Sequence, residues 1–404
     1  MDSHVHLASI PAISFPLTGP PSRLGGCLPS AGAALLPALR VHDAGGLDYH
    51  GSEADPGDAG GSNALRHLRL WRSPPRPERL SQLIRLRPIP IRALSQHALG
   101  FCPSRGVSGE GGLEGSLAPG GRESHPCVKT FYERGYGRDQ NLPLPGAELM
   151  RDVVAAAGAA HLPVLLHANS FEAQTFGVDT GVSILAHGMW NWGPYASAET
   201  LPPQIQGLLD RIVERPIGYQ PTLQVIGGLQ LLFDPAYLDR PDVRRVIPPA
   251  LLACYRSDEA QWYKRDLAQG ARDAAMRERL ERVLGRGSQV VQYLAQHRAR
   301  FLFGTDMPSG PTIGNLPGLN GYLEMQRLVS AGMSLPQLFE AATLNNAKAF
   351  ALDGHIGTVQ PGKRANLVLL SRSPLESVEA YAQVVAVWIG GTLLNPASLE
   401  AAQP

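Results

Sequence analysis

A parallel α/β fold is what this 404-residue sequence predicts, and three observations carry the expectation. Short apolar runs recur from about Val128 onward, each closing on a polar residue. Amphipathic helical stretches separate those runs, as the crossovers of a parallel sheet require. A hydrophobic content of 44% over this length supports a sizeable buried core.

The predicted strands are CVKTF (127–131), PVLLH (163–167), SILAH (183–187), the less apolar PIGYQPT (216–222) and RFLFGTD (300–306). A helix is expected over 146–161, between the first two. Residues 258–298 read as a long, charged, mostly helical stretch with a glycine-containing break near 285–288, and further helices are expected over 319–331 and 335–351. Periodicity leaves two architectures open, a (β/α)8 barrel and an open doubly wound sheet. After the last helix, GHIGTVQPGKRANLVLLSRSP and VVAVWIGGTLL read as short strands joined by Gly and Pro turns. The expected division is therefore a barrel over 1–353 and a partial β-sandwich over 354–404.

Residues 19–126 break the pattern. They are rich in Gly, Pro, Arg and Ser and carry no sustained strand or helix period. A loop of that length inside a compact domain argues against a simple assignment. Two readings are a disordered insertion and, preferred for the abrupt return of order at Val128, a stretch translated in the wrong frame. On the second reading, another frame encodes two missing strand and helix units.

Net charge is +1 and the sequence pI about 7.8, so neither nucleic acid nor an anionic membrane surface is favoured. A small-molecule substrate is the expected partner, with a homo-oligomer left open. Without a long apolar run or a signal-peptide pattern at Met1, the chain as written reads as cytoplasmic. Cys27, Cys102, Cys127 and Cys254 lie far apart with no CxxC pair, which argues against a disulfide framework or a thiolate zinc site. Any metal then needs imidazole, carboxylate or a rarer donor.

His4 and His6 stand two apart, so on an extended strand both imidazoles share a face. Two such histidines also arise on an ordinary exposed strand. His167 and His187 each close a predicted buried strand, the place where barrel enzymes carry catalytic groups, although a hydrogen-bonded histidine at the core edge has the same appearance. Asp306 ends RFLFGTD in the same way, and a buried carboxylate there needs a cation or several donors. Lys129 falls inside CVKTF. Only four of the 36 basic residues are lysines, and burying this one as an ammonium is costly. It snorkels, pairs with an acid such as Glu133, or is chemically altered. His125 and Asp2 are weaker candidates, and Trp190, Trp192 and Tyr195 suit either a pocket wall or plain loop packing.

In this order, DSHVHL, VKTFYE, VLLHANS, ILAHG and FGTDMP resemble the metal-ligand signatures of the amidohydrolase superfamily. FEAATLNNAKAFALDGHIGTVQPGKRANLVLL resembles its closing helix and returning β-sandwich. The resemblance covers residues 1–15 and about 127–395 and points toward the imidazolonepropionase-like and prolidase-like subgroup. It implies a (β/α)8 barrel, incomplete here, with a small C-terminal β-sandwich portion. It further implies two zinc ions, or other divalent metals: His4, His6 and Asp306 would hold one, His167 and His187 the second, with carboxylated Lys129 bridging both. Asp306 would carry the proton from water to the leaving nitrogen, and an amide, cyclic amide or dipeptide-like C–N bond would be cleaved.

Two departures from the family accompany the match. Only Met1 precedes the DSHVH motif, so the body of a first strand and half of the sandwich are expected to lie upstream of the given start. Residues 19–126 occupy the place of the second and third strands. The alternatives are thus a lactonase or phosphotriester hydrolase on the same site, or an inactive amidohydrolase fragment.

Overall fold

The computed structural model describes residues 99–101, 127–135, 141–307, 309 and 312–396. Its main sheet has five strands in the order β1 (Leu99–Phe101), β2 (Val128–Phe131), β3 (Val164–His167), β4 (Ile184–Ala186) and β5 (Gly218–Gln220). β1 is antiparallel to β2 and is the one strand described within the irregular 19–126 stretch; β2 to β5 run parallel. A parallel bridge joins Tyr219 to Phe301. The Tyr219 N–H donates to Arg300 O at 2.9 Å and the Leu302 N–H to Tyr219 O at 2.8 Å, so RFLF takes the next place in the same arc.

That order decides between the two predicted architectures. In a doubly wound sheet the strand order reverses at a switch point; here five successive parallel positions follow chain order without a skip. The described residues therefore form an arc of a (β/α)8-type barrel. Its crossovers are α1 (Ala147–Ala159), α2 (Phe171–Thr180) and α3 (Pro203–Glu214). Between β5 and Phe301 come α4 (Gln224–Leu231), α5 (Pro241–Val246), α6 (Pro249–Tyr255), α7 (Trp262–Ala268) and α8 (Asp273–Gln296). Then follow α9 (Asn320–Ser330), α10 (Leu335–Glu340) and α11 (Asn346–Ala349).

Local chemistry sets several boundaries. Ser170 caps α2 by accepting the Ala173 N–H at 3.1 Å, and Gly181 ends it at φ 81°, a left-handed conformation that glycine adopts without a Cβ clash. Ser334 and Gln337 form a reciprocal capping box at α10. The expected break near 285–288 is absent, because α8 runs unbroken through Gly285 and Gly287. Gly287 serves packing: a Cβ there would meet Leu223 Cδ2 at 2.9 Å.

Side chains alternate across the strands. Val128, Leu166, Leu185, Tyr219, Phe301 and Phe303 join the large core beneath the helices. Cys127, Leu165, Ile184, Ala186 and Leu302 form a smaller cluster with Phe350 on the opposite, inner face. Each fully buried Leu or Ile contributes about 1.5–3 kcal/mol relative to exposure. By alternation Lys129 and His167 belong to this inner face. Cys127 is disulfide-bonded, a cross-link that wide sequence spacing argued against; distance along the chain does not limit approach in space.

The C-terminal strands β6 (Leu367–Leu370), β7 (Val384–Ile389) and β8 (Thr392–Leu394) form a separate antiparallel sheet. Val368 and Leu393 on it are 58% and 59% exposed. No helix among the described residues is long and apolar enough to cross a membrane.

One contact pins the strand that carries Asp306. A π-turn over Ala341–Asn345 leads into α11, where the amide of buried Asn346 accepts the Phe303 N–H at 3.1 Å and donates to Phe303 O at 2.8 Å. Asn345 donates to Phe301 O at 3.2 Å. Replacing Asn346 by Leu keeps the volume and removes both Phe303 bonds, so about 2–4 kcal/mol should be lost. A urea midpoint lowered accordingly at unchanged slope checks this, and a loss below about 0.5 kcal/mol would contradict it.

Candidate metal-binding active site

The parallel register lines up the C-terminal strand ends. Phe131 pairs with His167, His167 with Ala186, and Ala186 with Gln220. His187 follows Ala186 directly, and Asp306 ends the neighbouring run. Lys129, His167, His187 and Asp306, all expected from sequence, come together here and are buried, at 7%, 8%, 2% and 8% exposure. The His167 and His187 ring centroids lie 4.4 Å apart, and His187 Nδ1 is 3.8 Å from Asp306 Oδ2. Lys129 Nζ sits over the Phe131 ring at 5.4 Å. His4, His6, Asp2 and His125 lie outside the described residues.

Two of these positions have unusual backbones. His187 has φ 79° and Asp306 φ 53°, and Thr222, beside His187, has φ 46°. Left-handed backbone at a β-branched or bulky residue costs on the order of 1–3 kcal/mol and persists only where surrounding contacts impose it. For His187 those contacts are visible. Its N–H donates to Gln220 O at 2.8 Å, its carbonyl accepts from Gln174 Nε2 at 3.2 Å, and its Nδ1 lies 2.9 Å from Thr222 Oγ1. Gln174 also donates to Ala168 O and to the buried Tyr219 hydroxyl, which accepts the Met189 N–H at 3.1 Å.

His167 is held from the other side. Its Nε2 lies 3.1 Å from Glu133 Oε2, which also accepts from Asn169 Nδ2 at 2.7 Å. Burial would raise the Glu133 carboxyl, but the bonds from His167, the Gly135 N–H and Asn169 prevail and hold it below its ordinary value. Burial pushes the His167 imidazole down, outweighing its contact with Glu133, and the charge of Lys129 adds to the effect. Burial likewise lowers Lys129 to about 8, against the opposing pull of Asp306.

These properties suit a divalent metal. Neutral imidazoles and a carboxylate are its usual donors, and a lysine near pKa 8 has enough free amine at neutral pH to react with carbon dioxide. Each histidine also has one ring nitrogen against a carboxylate or hydroxyl, the outer contact that metal-bound histidines make. Among the described residues, no three His, Cys, Asp or Glu side chains already close into a metal cage.

Glu133, Asn169, Gln174, Tyr219 and Thr222 were not identified as site supports from sequence, although Glu133 was weighed as an ion-pair partner of Lys129. Of the three proposed wall residues, Trp190 stands beside His187, with ring centroids 5.8 Å apart. Trp192 is fully buried and donates to Met189 O, and Tyr195 packs on Phe171, so both serve the loop.

Comparison with known proteins gives partial matches. The model described as Amidohydrolase family matches residues 253–394. Over that C-terminal third the chain is similar to the amidohydrolase family. It is 28% identical over 127 residues to a guanine deaminase of Escherichia coli (strain K12), covering 31% of this chain and 28% of that protein. Among solved structures it is similar to a Xaa-Pro dipeptidase with bound methionine (19% identity, TM-score 0.45, 67% of this chain and 55% of that one). It is also similar to a putative prolidase from Bifidobacterium longum (20%, TM-score 0.44, 66% and 55%). The chain thus spans about half the length of these structures and just over a quarter of the deaminase.

Lys129 gives the site a testable pH dependence. Its folded pKa of about 8 lies below the ordinary 10.5, so the unfolded chain binds more protons between those values and stability rises with pH there. The penalty for burying the ammonium is full below about pH 8 and fades toward 10.5. In metal-free, carbon-dioxide-free buffer, Lys129→Met should raise the melting temperature at pH 7, with the advantage narrowing from pH 8 to 10.5. An advantage that widens over that range would contradict the assignment.

Proposed function

We propose that this protein is a metal-dependent hydrolase acting on a carbon–nitrogen bond of a small amide, cyclic amide or dipeptide-like molecule. The observation that carries the reading is the convergence of Lys129, on β2, and Asp306, beyond the bridged Phe301 run, with His167 and His187 at the C-terminal ends of adjacent parallel strands, where barrel enzymes place their chemistry.

His167, His187, Asp306 and carboxylated Lys129 would hold the metal, together with His4 and His6. Zinc suits this donor set, and manganese, iron or nickel are also compatible. When bound, a divalent ion supplies Lewis-acid chemistry, acidifying water and polarising the scissile carbonyl. Asp306 accepts the proton of the attacking water and delivers it to the departing nitrogen, acting first as base and then as acid. Glu133 and Asn169 fix the His167 ring, Thr222 fixes that of His187, and Trp190 gives the site an apolar wall. The products are a carboxylate and an amine.

The alternative is a non-catalytic relative. Metal content and turnover of the full chain on a panel of N-acyl amino acids, dipeptides and cyclic amides separate the two. Hydrolysis with about two equivalents of zinc, reduced about 10³-fold or more in Asp306→Asn, is expected. Soluble protein with neither metal nor turnover would support the alternative.

A further inference from the structure

On the far side of His187, a buried acid belongs to no step of the proposed reaction. Glu324, in α9, is 0% exposed. Its two carboxylate oxygens divide between successive backbone groups at the start of α4: the Leu223 N–H donates to Oε1 at 3.0 Å and the Gln224 N–H to Oε2 at 2.5 Å. These are N–H groups at a helix start, which lack intrahelical partners and favour a negative charge. One turn along α9, Arg327 Nε donates to Gln224 Oε1 at 2.6 Å. Gly227 admits that guanidinium, since a Cβ there would lie 2.3 Å from Nε. Burial lowers the Arg327 pKa while Glu324 opposes the shift. The first turn of α4 is therefore clamped by a buried acid and a half-buried base from one helix.

The clamped segment is the one that holds His187. Gln220 O accepts the His187 N–H, Pro221 O accepts the Gly188 N–H at 2.5 Å, and the Thr222 hydroxyl meets His187 Nδ1. Gly188 leaves no slack, because a Cβ there would lie 3.1 Å from Pro221 O. Thr222, fully buried at φ 46°, needs restraint on both sides to keep a conformation that β-branched residues avoid. His187 supplies one side. The other begins at the next residue, Leu223.

We propose that Glu324 is a positioning residue for His187: by anchoring the Leu223 and Gln224 N–H groups it holds Thr222 in its left-handed conformation, and the Thr222 hydroxyl in turn fixes the orientation of the imidazole. The proposal rests on the reading of His187 as a metal ligand, and its test separates the two ideas.

The full-length Glu324→Gln chain retains the volume but presents an amide where two N–H donors expect oxygens. Nitrogen-15 NMR of the histidine rings in the metal-free protein reads the hydrogen bonding of each ring nitrogen. The His187 Nδ1 signal should shift and broaden in this variant as its bond to Thr222 loosens, while His167, held by Glu133, keeps its wild-type signals. Zinc affinity, measured by chelator competition, should weaken about 10–100-fold, the usual consequence of losing an outer contact of a metal-bound histidine. If Glu324→Gln does not fold, Glu324→Asp, which retains the charge on a shorter stem, should give a smaller shift of the same kind. Unchanged His187 signals in the folded variant would overturn the proposal, as would His167 and His187 signals changing together. Wild-type chain that binds no zinc but shows the His187 signal change on substitution would keep Glu324 as a positioning residue and refute the metal-ligand reading.

Discussion

The parallel hydrogen-bond ladder from β2 to β5 governs where every functional group stands. It pairs Phe131 with His167, His167 with Ala186 and Ala186 with Gln220. Because side chains alternate along a strand, a slip of one residue in any pair would exchange its two faces. Lys129 and His167 would then enter the helix-covered core, and Leu166 would replace the imidazole. The packing that opposes such a slip is large: Leu166, Leu185 and Tyr219 are fully buried beneath the helices. Strand register and site geometry are thus consequences of one set of apolar contacts.

Around that ladder the site is held by polar groups buried with their partners. Glu133, Asn169, Gln174, Thr222 and Tyr219 restrain the two histidines, and Asn346 restrains the strand leading to Asp306. Positive φ at His187, Thr222 and Asp306 lies where these restraints are densest. Rigid support of this kind keeps two imidazoles and a depressed lysine close together.

The strands ending in His167, His187 and Asp306 were legible in the sequence because each is a short apolar run closed by one polar residue, a local signal. Lys129 stood out by its rarity and by the cost of burying an ammonium. Barrel closure order was not legible, since periodicity is the same in a doubly wound sheet. The supports were invisible for a different reason: Thr222 meets His187 across 35 residues and Glu324 meets Leu223 across 101, and no local pattern encodes such contacts. Gly287 misled in the opposite direction. Two glycines in a helical stretch suggest a break, whereas Gly287 exists so that α8 can approach Leu223. His4 and His6 carry the plainest motif in the chain and lie outside the described residues, so their part in the site rests on the family resemblance.

The central claim is that the aligned strand ends form a metal centre. Crystals of the full chain grown with zinc, measured at the zinc absorption edge, test it most directly. The account predicts anomalous density among His167, His187, Asp306 and Lys129, with a zinc about 2.0–2.1 Å from a nitrogen of each of the two histidines. Zinc found only elsewhere on the molecule, with His167 and His187 unligated, would contradict it.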